Sequence, residues 1–88
     1  MLPEAVAAML AANINGAETF DTGVPHRYAL RVGSVEVHVD TDLEYPDHFH
    51  WSIHTAEGGM RYHSHTVCWD EDDAQRVLEE VKAKVDSR

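Results

Sequence analysis

His26-Arg27-Tyr28-Ala29-Leu30-Arg31-Val32-Gly33-Ser34-Val35-Glu36-Val37-His38-Val39-Asp40-Thr41 is where the chain states its architecture most clearly. Gly33-Ser34 reads as a two-residue turn with glycine at its first central position, a geometry that matches the twist of the strands it joins. Folding about it pairs Val32 with Val35, Leu30 with Val37 and Tyr28 with Val39, and on the other side Arg31 with Glu36 and Arg27 with Asp40. Side chains alternate between the two faces of a strand, so a one-residue slip would set every apolar group among charges. A single register satisfies both sets of pairs, which predicts a hairpin with one apolar and one polar face.

The same alternation continues toward the C-terminus. Phe49, Trp51 and Ile53 alternate with His48, His50, Ser52 and His54, which predicts a third strand. Beyond a turn around Glu57-Gly58-Gly59, a fourth strand sets Met60, Tyr62, Ser64, Thr66 and Cys68 against Arg61, His63, His65, Val67 and Trp69. A two-residue Gly58-Gly59 turn places His54 opposite His63, whereas a four-residue Ala56 to Gly59 turn places His50 opposite His65. Both loops have even length, so either way the histidines of the two strands share a side.

Helices flank the strands. Pro3 suits a first helical position, Leu2, Val6, Met9 and Leu10 recur at helical spacing, and Asn15-Gly16 supplies a stop. The segment from Gly16 to Pro25 reads as a loop, since Gly, Asp, Thr and Pro gather there. Near the C-terminus Asp70 reads as an N-cap, with Glu71, Asp72 and Asp73 at the positive end of the helix dipole, and Ala74, Val77, Leu78, Val81 and Val85 form an apolar stripe. Both helices need the apolar face of the sheet. The expectation is one α+β domain over residues 1–88: a four-stranded antiparallel meander, α-β-β-β-β-α, with two helices packed on one face and the histidines on the other.

Composition narrows the function. Sixteen carboxylates against seven Lys and Arg give a net charge of -9 with neutral histidine, which repels phosphate backbones and argues against direct nucleic-acid binding. A partner with a basic surface suits that charge. Protonating all seven histidines would leave -2, so mild acid acts strongly on this chain. Cys68 is the only cysteine, which excludes an internal disulfide and fits a reducing compartment. The apolar N-terminal stretch carries Glu4, has no basic flank and falls short of the ~20 residues that span a bilayer. A cytoplasmic protein without a membrane segment is expected.

Two kinds of site are legible. Alternating histidines on neighbouring strands aim imidazoles at one side, so His50, His54, His63 and His65 form a candidate set for zinc, nickel or copper, with Glu36 and Asp40 as acceptors for ring N–H groups. Alternatively His38, His48, Val67 and Trp69 on the same face, together with the acidic helix start Asp70, Glu71, Asp72 and Asp73, read as a protein-binding surface in which a large aromatic stands beside polar groups. Catalysis is the weaker expectation: Cys68 faces the core, and Ser52 and Ser64 have histidine neighbours but no nucleophile elbow or oxyanion loop. No resident cofactor is expected, the metals remaining the alternative. The preferred reading is a small acidic, non-enzymatic interaction protein with a basic protein partner. In size and charge alone it resembles the inhibitors that phages and mobile elements carry, which implies a nucleic-acid-binding protein as target. Two histidine faces related by a twofold axis could also close a homodimer that loosens in mild acid.

Overall fold

The hairpin forms in the expected register. In the computed structural model β2 (Arg27–Val32) and β3 (Val35–Thr41) pair Val32 with Val35, Leu30 with Val37, Tyr28 with Val39, Arg31 with Glu36 and Arg27 with Asp40. Gly33 takes the left-handed φ of 58° while Ser34 does not, as a turn with glycine first requires. A slip would turn out Leu30, Val32, Val35, Val37 and Val39, all of them buried. At roughly 2 kcal/mol per buried aliphatic side chain the penalty is on the order of 10 kcal/mol, which leaves the pairing no competitor.

The structure describes residues 3–45, 48–55, 59–63 and 71–86, with the side chains of Arg61 and of residues 71–74 excepted. Around the hairpin lie α1 (Pro3–Asn13), β1 (Ala17–Phe20), β4 (Phe49–Thr55), β5 (Met60–His63) and α2 (Glu71–Asp86). The strands form one antiparallel sheet in the order β1-β2-β3-β4-β5. The α+β class with helices packed on a sheet is as expected; the strand number is five, not four.

The added strand is β1, which lies inside the segment read as a loop. Its four residues Ala-Glu-Thr-Phe show no apolar alternation, and its pairing comes from β2 alone, with Glu18 opposite Arg31 and Phe20 opposite Ala29. Gly16, at φ 78°, reverses the chain between α1 and β1, and the Ala17 N–H donates to the Ile14 carbonyl at 3.2 Å.

The β4–β5 pairing decides between the two turns and corrects the placement of Met60. Ser52 faces His63 and Ile53 faces Tyr62, the pairs of a four-residue turn, so His54 does not stand opposite His63. Between Ile53 and His54 the register shifts by a bulge and His54 meets Met60. The bulge moves Met60 from the apolar side, where strict alternation put it, to an exposed position.

Both helices serve the apolar face. Val6, Ala7, Leu10 and Ile14 of α1 and Val77, Leu78, Val81 and Val85 of α2 pack with Leu30, Val32, Val35, Val37, Val39, Phe49, Trp51 and Ile53 in one cluster. Tyr62 stacks on Trp51 at 4.8 Å between ring centroids, and Lys84 places its ammonium 4.7 Å from the Tyr62 ring. The expected cap at Asp70 and the expected placements of Ser64, His65, Thr66, Val67, Cys68 and Trp69 lie outside the described residues.

Candidate functional site: an imidazole-lined sheet face

Committing the apolar side chains to the helices leaves their strand neighbours on the opposite face. Three ranks cross it. Ala29, His38, Ser52 and His63 form the central one; Arg31, Glu36, His54 and Met60 form a second; Arg27, Asp40 and His50 form a third. Ser52 therefore has an imidazole on every side, His38 and His63 across the sheet and His50 and His54 two residues away along its own strand.

The rings meet in pairs. His38 and His54 stack with centroids 4.1 Å apart at 26°, and His50 and His63 lie 5.7 Å apart at 33°. Only 2% of Ser52 is exposed, although it belongs to the face away from the helices. Its hydroxyl and His54 Nε2 are hydrogen-bonded at 2.8 Å, which satisfies the buried polar group. A hydroxyl and imidazole at that separation have the spacing of a nucleophile and its base. Here the hydroxyl is buried, and His54 is the partner that the structure gives it.

Charges are arranged around the rings. Glu36 accepts from His38 Nε2 at 3.1 Å on one carboxylate oxygen and from Arg31 at 3.3 Å on the other. The His38 bond, aided by Arg31, holds the Glu36 pKa below the usual value. Asp40 takes the Arg27 Nε–H at 2.7 Å. Asp42 accepts the backbone N–H groups of Tyr45 and Glu44 and, on its other oxygen, His50 Nε2 at 3.2 Å; these bonds, that of Tyr45 first, lower its pKa too. His54 is shifted in the opposite sense for a base: burial, and then the neighbouring His38 and Arg27, hold it below the ordinary histidine value against the pull of Glu36 and Asp40.

The structure thus brings His38, His50, His54 and His63 onto one face, as the alternation of the sequence requires. His48, just before β4, instead sets its ring beside Tyr45 at 5.4 Å. His65, Val67, Trp69 and Asp70 lie outside the described residues, and for Glu71, Asp72 and Asp73 only the helical backbone is described. Among the described residues no group of three or more His, Cys, Asp or Glu side chains is placed to hold a metal ion. Sequence reasoning missed Asp42 and the burial of Ser52. The first was signalled by the Asp-x-Glu-Tyr order after the strand, since an Asp there bonds backbone two and three residues on.

Fold and face together define a small α+β protein whose sheet is helix-covered on one side and carries paired imidazoles on the other. No protein-family model, curated protein or solved structure matches the chain. Among the described residues no helix is long and apolar enough to cross a membrane.

Proposed function

We propose that the chain is a non-enzymatic protein-binding module that docks a basic protein on its imidazole-lined face. The observation carrying this reading is the charge of that face. Among the described side chains of that face four carboxylates, Glu18, Glu36, Asp40 and Asp42, stand against two guanidiniums, and both guanidiniums are already bonded, Arg27 to Asp40 and Arg31 to Glu36. With neutral imidazoles these described groups are net negative on a chain of charge -9, and complementary potentials steer association with a cationic partner. Stacked rings held by carboxylates present a planar area that needs little further ordering on binding. A nucleic-acid-binding protein is a fitting target, because carboxylates can occupy the positions of phosphates.

The test is binding of a partner isolated by capture on the full chain, measured against salt with two variants of equal charge change. Glu18→Lys with His63→Ala alters the face, while Glu79→Lys alters the exposed side of α2. Affinity should fall with salt and drop roughly tenfold for the face variant alone. Equal losses for both variants would reduce the effect to net charge and defeat the reading.

Metal binding is the second reading, favoured by the 5.7 Å approach of His50 and His63 and by Asp42, whose carboxylate lies 3.2 Å from His50 Nε2 and would orient the ring. Zinc, nickel or copper would suit these ligands, with His54 and His65 as further candidates. Elemental analysis of protein purified without an affinity tag should find stoichiometric metal if this reading holds, and substoichiometric traces if it does not.

A further inference from the structure

A groove of about 590 Å³ opens at one end of the sheet, between the first turns of α1 and the loop joining β1 to β2. Its size falls within the ~300–1,000 Å³ of ordinary ligand sites. The apolar part of its lining comes from the methyl groups of Ala7 and Ala8 of α1 together with Tyr28 and Val24. Two exposed carboxylates border it, Glu4 from the first turn of α1 and Asp21 from the end of β1. The guanidinium in the lining, that of Arg27, does not offset them, since it is bonded to Asp40 at 2.7 Å.

The wall of the groove is set in advance. Thr22 Oγ1 accepts the Val24 N–H at 3.0 Å and lies 3.2 Å from the Arg27 carbonyl, and Asp21 Oδ1 accepts the Gly23 N–H at 2.8 Å. His26, at a left-handed φ of 65°, offers its carbonyl to the Thr41 N–H at 2.9 Å, which ties this loop to the last residue of β3, where the loop to β4 begins. That second loop exposes 76% of Leu43 and 53% of Tyr45; with Val24, three of the four large apolar side chains exposed among the described residues gather at this end.

We propose that the groove receives a lysine or arginine side chain from a basic peptide segment. The aliphatic stem would lie along Ala7, Ala8 and Tyr28, the cation would reach Glu4 and Asp21, and an adjacent apolar residue of the segment would rest on Val24 and Leu43. A wholly apolar occupant would desolvate the carboxylates without pairing them, and an anion would be repelled. Long basic side chains combine the apolar stem and the charged head that this lining requires. The inference rests on the reading of the chain as a binder of basic proteins and assigns that partner a second anchor, away from the imidazoles.

The experiment is a backbone-amide NMR titration of the full chain with acetyl-Ala-Arg-Leu-Ala-amide, its Lys counterpart and its Glu counterpart. The basic peptides should give saturable shifts confined to residues 4–8, 19–29 and 43–45, and the Glu peptide none. Ala8→Phe, which fills the groove, and Glu4→Gln with Asp21→Asn, which removes the charge while keeping the loop's acceptor, should each weaken binding roughly tenfold. Shifts gathered instead on Glu36, His38 and His54 would overturn the groove and leave the proposed function standing. Undiminished binding by both variants, or no binding of either basic peptide while salt-dependent capture of a partner persists, would overturn it too.

Discussion

Acidifying the protein from pH 7.5 to 5.5 should destabilise it, and the loss should trace to His54. That ring lies flat on His38 at 4.1 Å and is bonded to the buried Ser52, and burial together with His38 and Arg27 keeps its pKa below the ordinary value of 6.5 despite Glu36 and Asp40. Between 6.5 and the lower folded-state value the unfolded chain binds a proton that the folded chain refuses. Stability therefore rises with pH in that window, is lost as pH falls through it, and levels off once the folded ring protonates as well. One proton sets a ceiling of about 1.4 kcal/mol per pH unit, and the partial exposure of the ring keeps the slope beneath it through solvent screening. With about 4–8 °C of Tm per kcal/mol in a domain of this size, the shift is measurable. Glu36 and Asp42, whose pKa values are also depressed, lose their contributions only as pH falls below the ordinary carboxylate values of 4.5 and 3.8, outside this window. Urea denaturation at closely spaced pH values should show the slope in the wild type and a flatter curve for His54→Phe, which keeps an aromatic ring against His38 but carries no proton. Equal slopes, or a wild type more stable at pH 5.5, would refute the assignment.

Other substitutions probe the frame around that face. Leu30→Ala removes a side chain with no exposure at the centre of the core and should cost about 3–5 kcal/mol by chemical denaturation; a loss under about 1 kcal/mol would mean that β2 turns this residue elsewhere. Gly33→Ala forces a side chain into the left-handed region and should cost about 1–2 kcal/mol, visible as a lower denaturation midpoint at unchanged slope. His63→Ala changes an exposed residue and should leave stability within about 0.5 kcal/mol and the amide NMR spectrum native-like; unfolding would show that β5 faces the other way.

Legibility followed how many constraints each segment carried. The hairpin could be read to the residue because turn chemistry, apolar pairs and charge pairs agreed on one register. Strand β1 could not: four residues at a sheet edge contribute no pattern of their own, and β2 alone makes them a strand. The groove was hidden for the same reason, since one of its walls grows out of β1. At β4–β5 the alternation rightly placed His50, His54 and His63 on one side but allowed two loop lengths. Pairing then adopted the four-residue spacing inside and a bulge near the turn, which exposed Met60.

The sequence by itself determined which side of each strand meets the helices and which bears the imidazoles, because side-chain direction in a strand is a matter of parity along the chain. Tertiary structure alone decided what those imidazoles do. Stacking of His38 on His54, the approach of His50 to His63 and the burial of Ser52 between them depend on how three strands align, and that alignment is an energy of pairing between distant segments that no local pattern records.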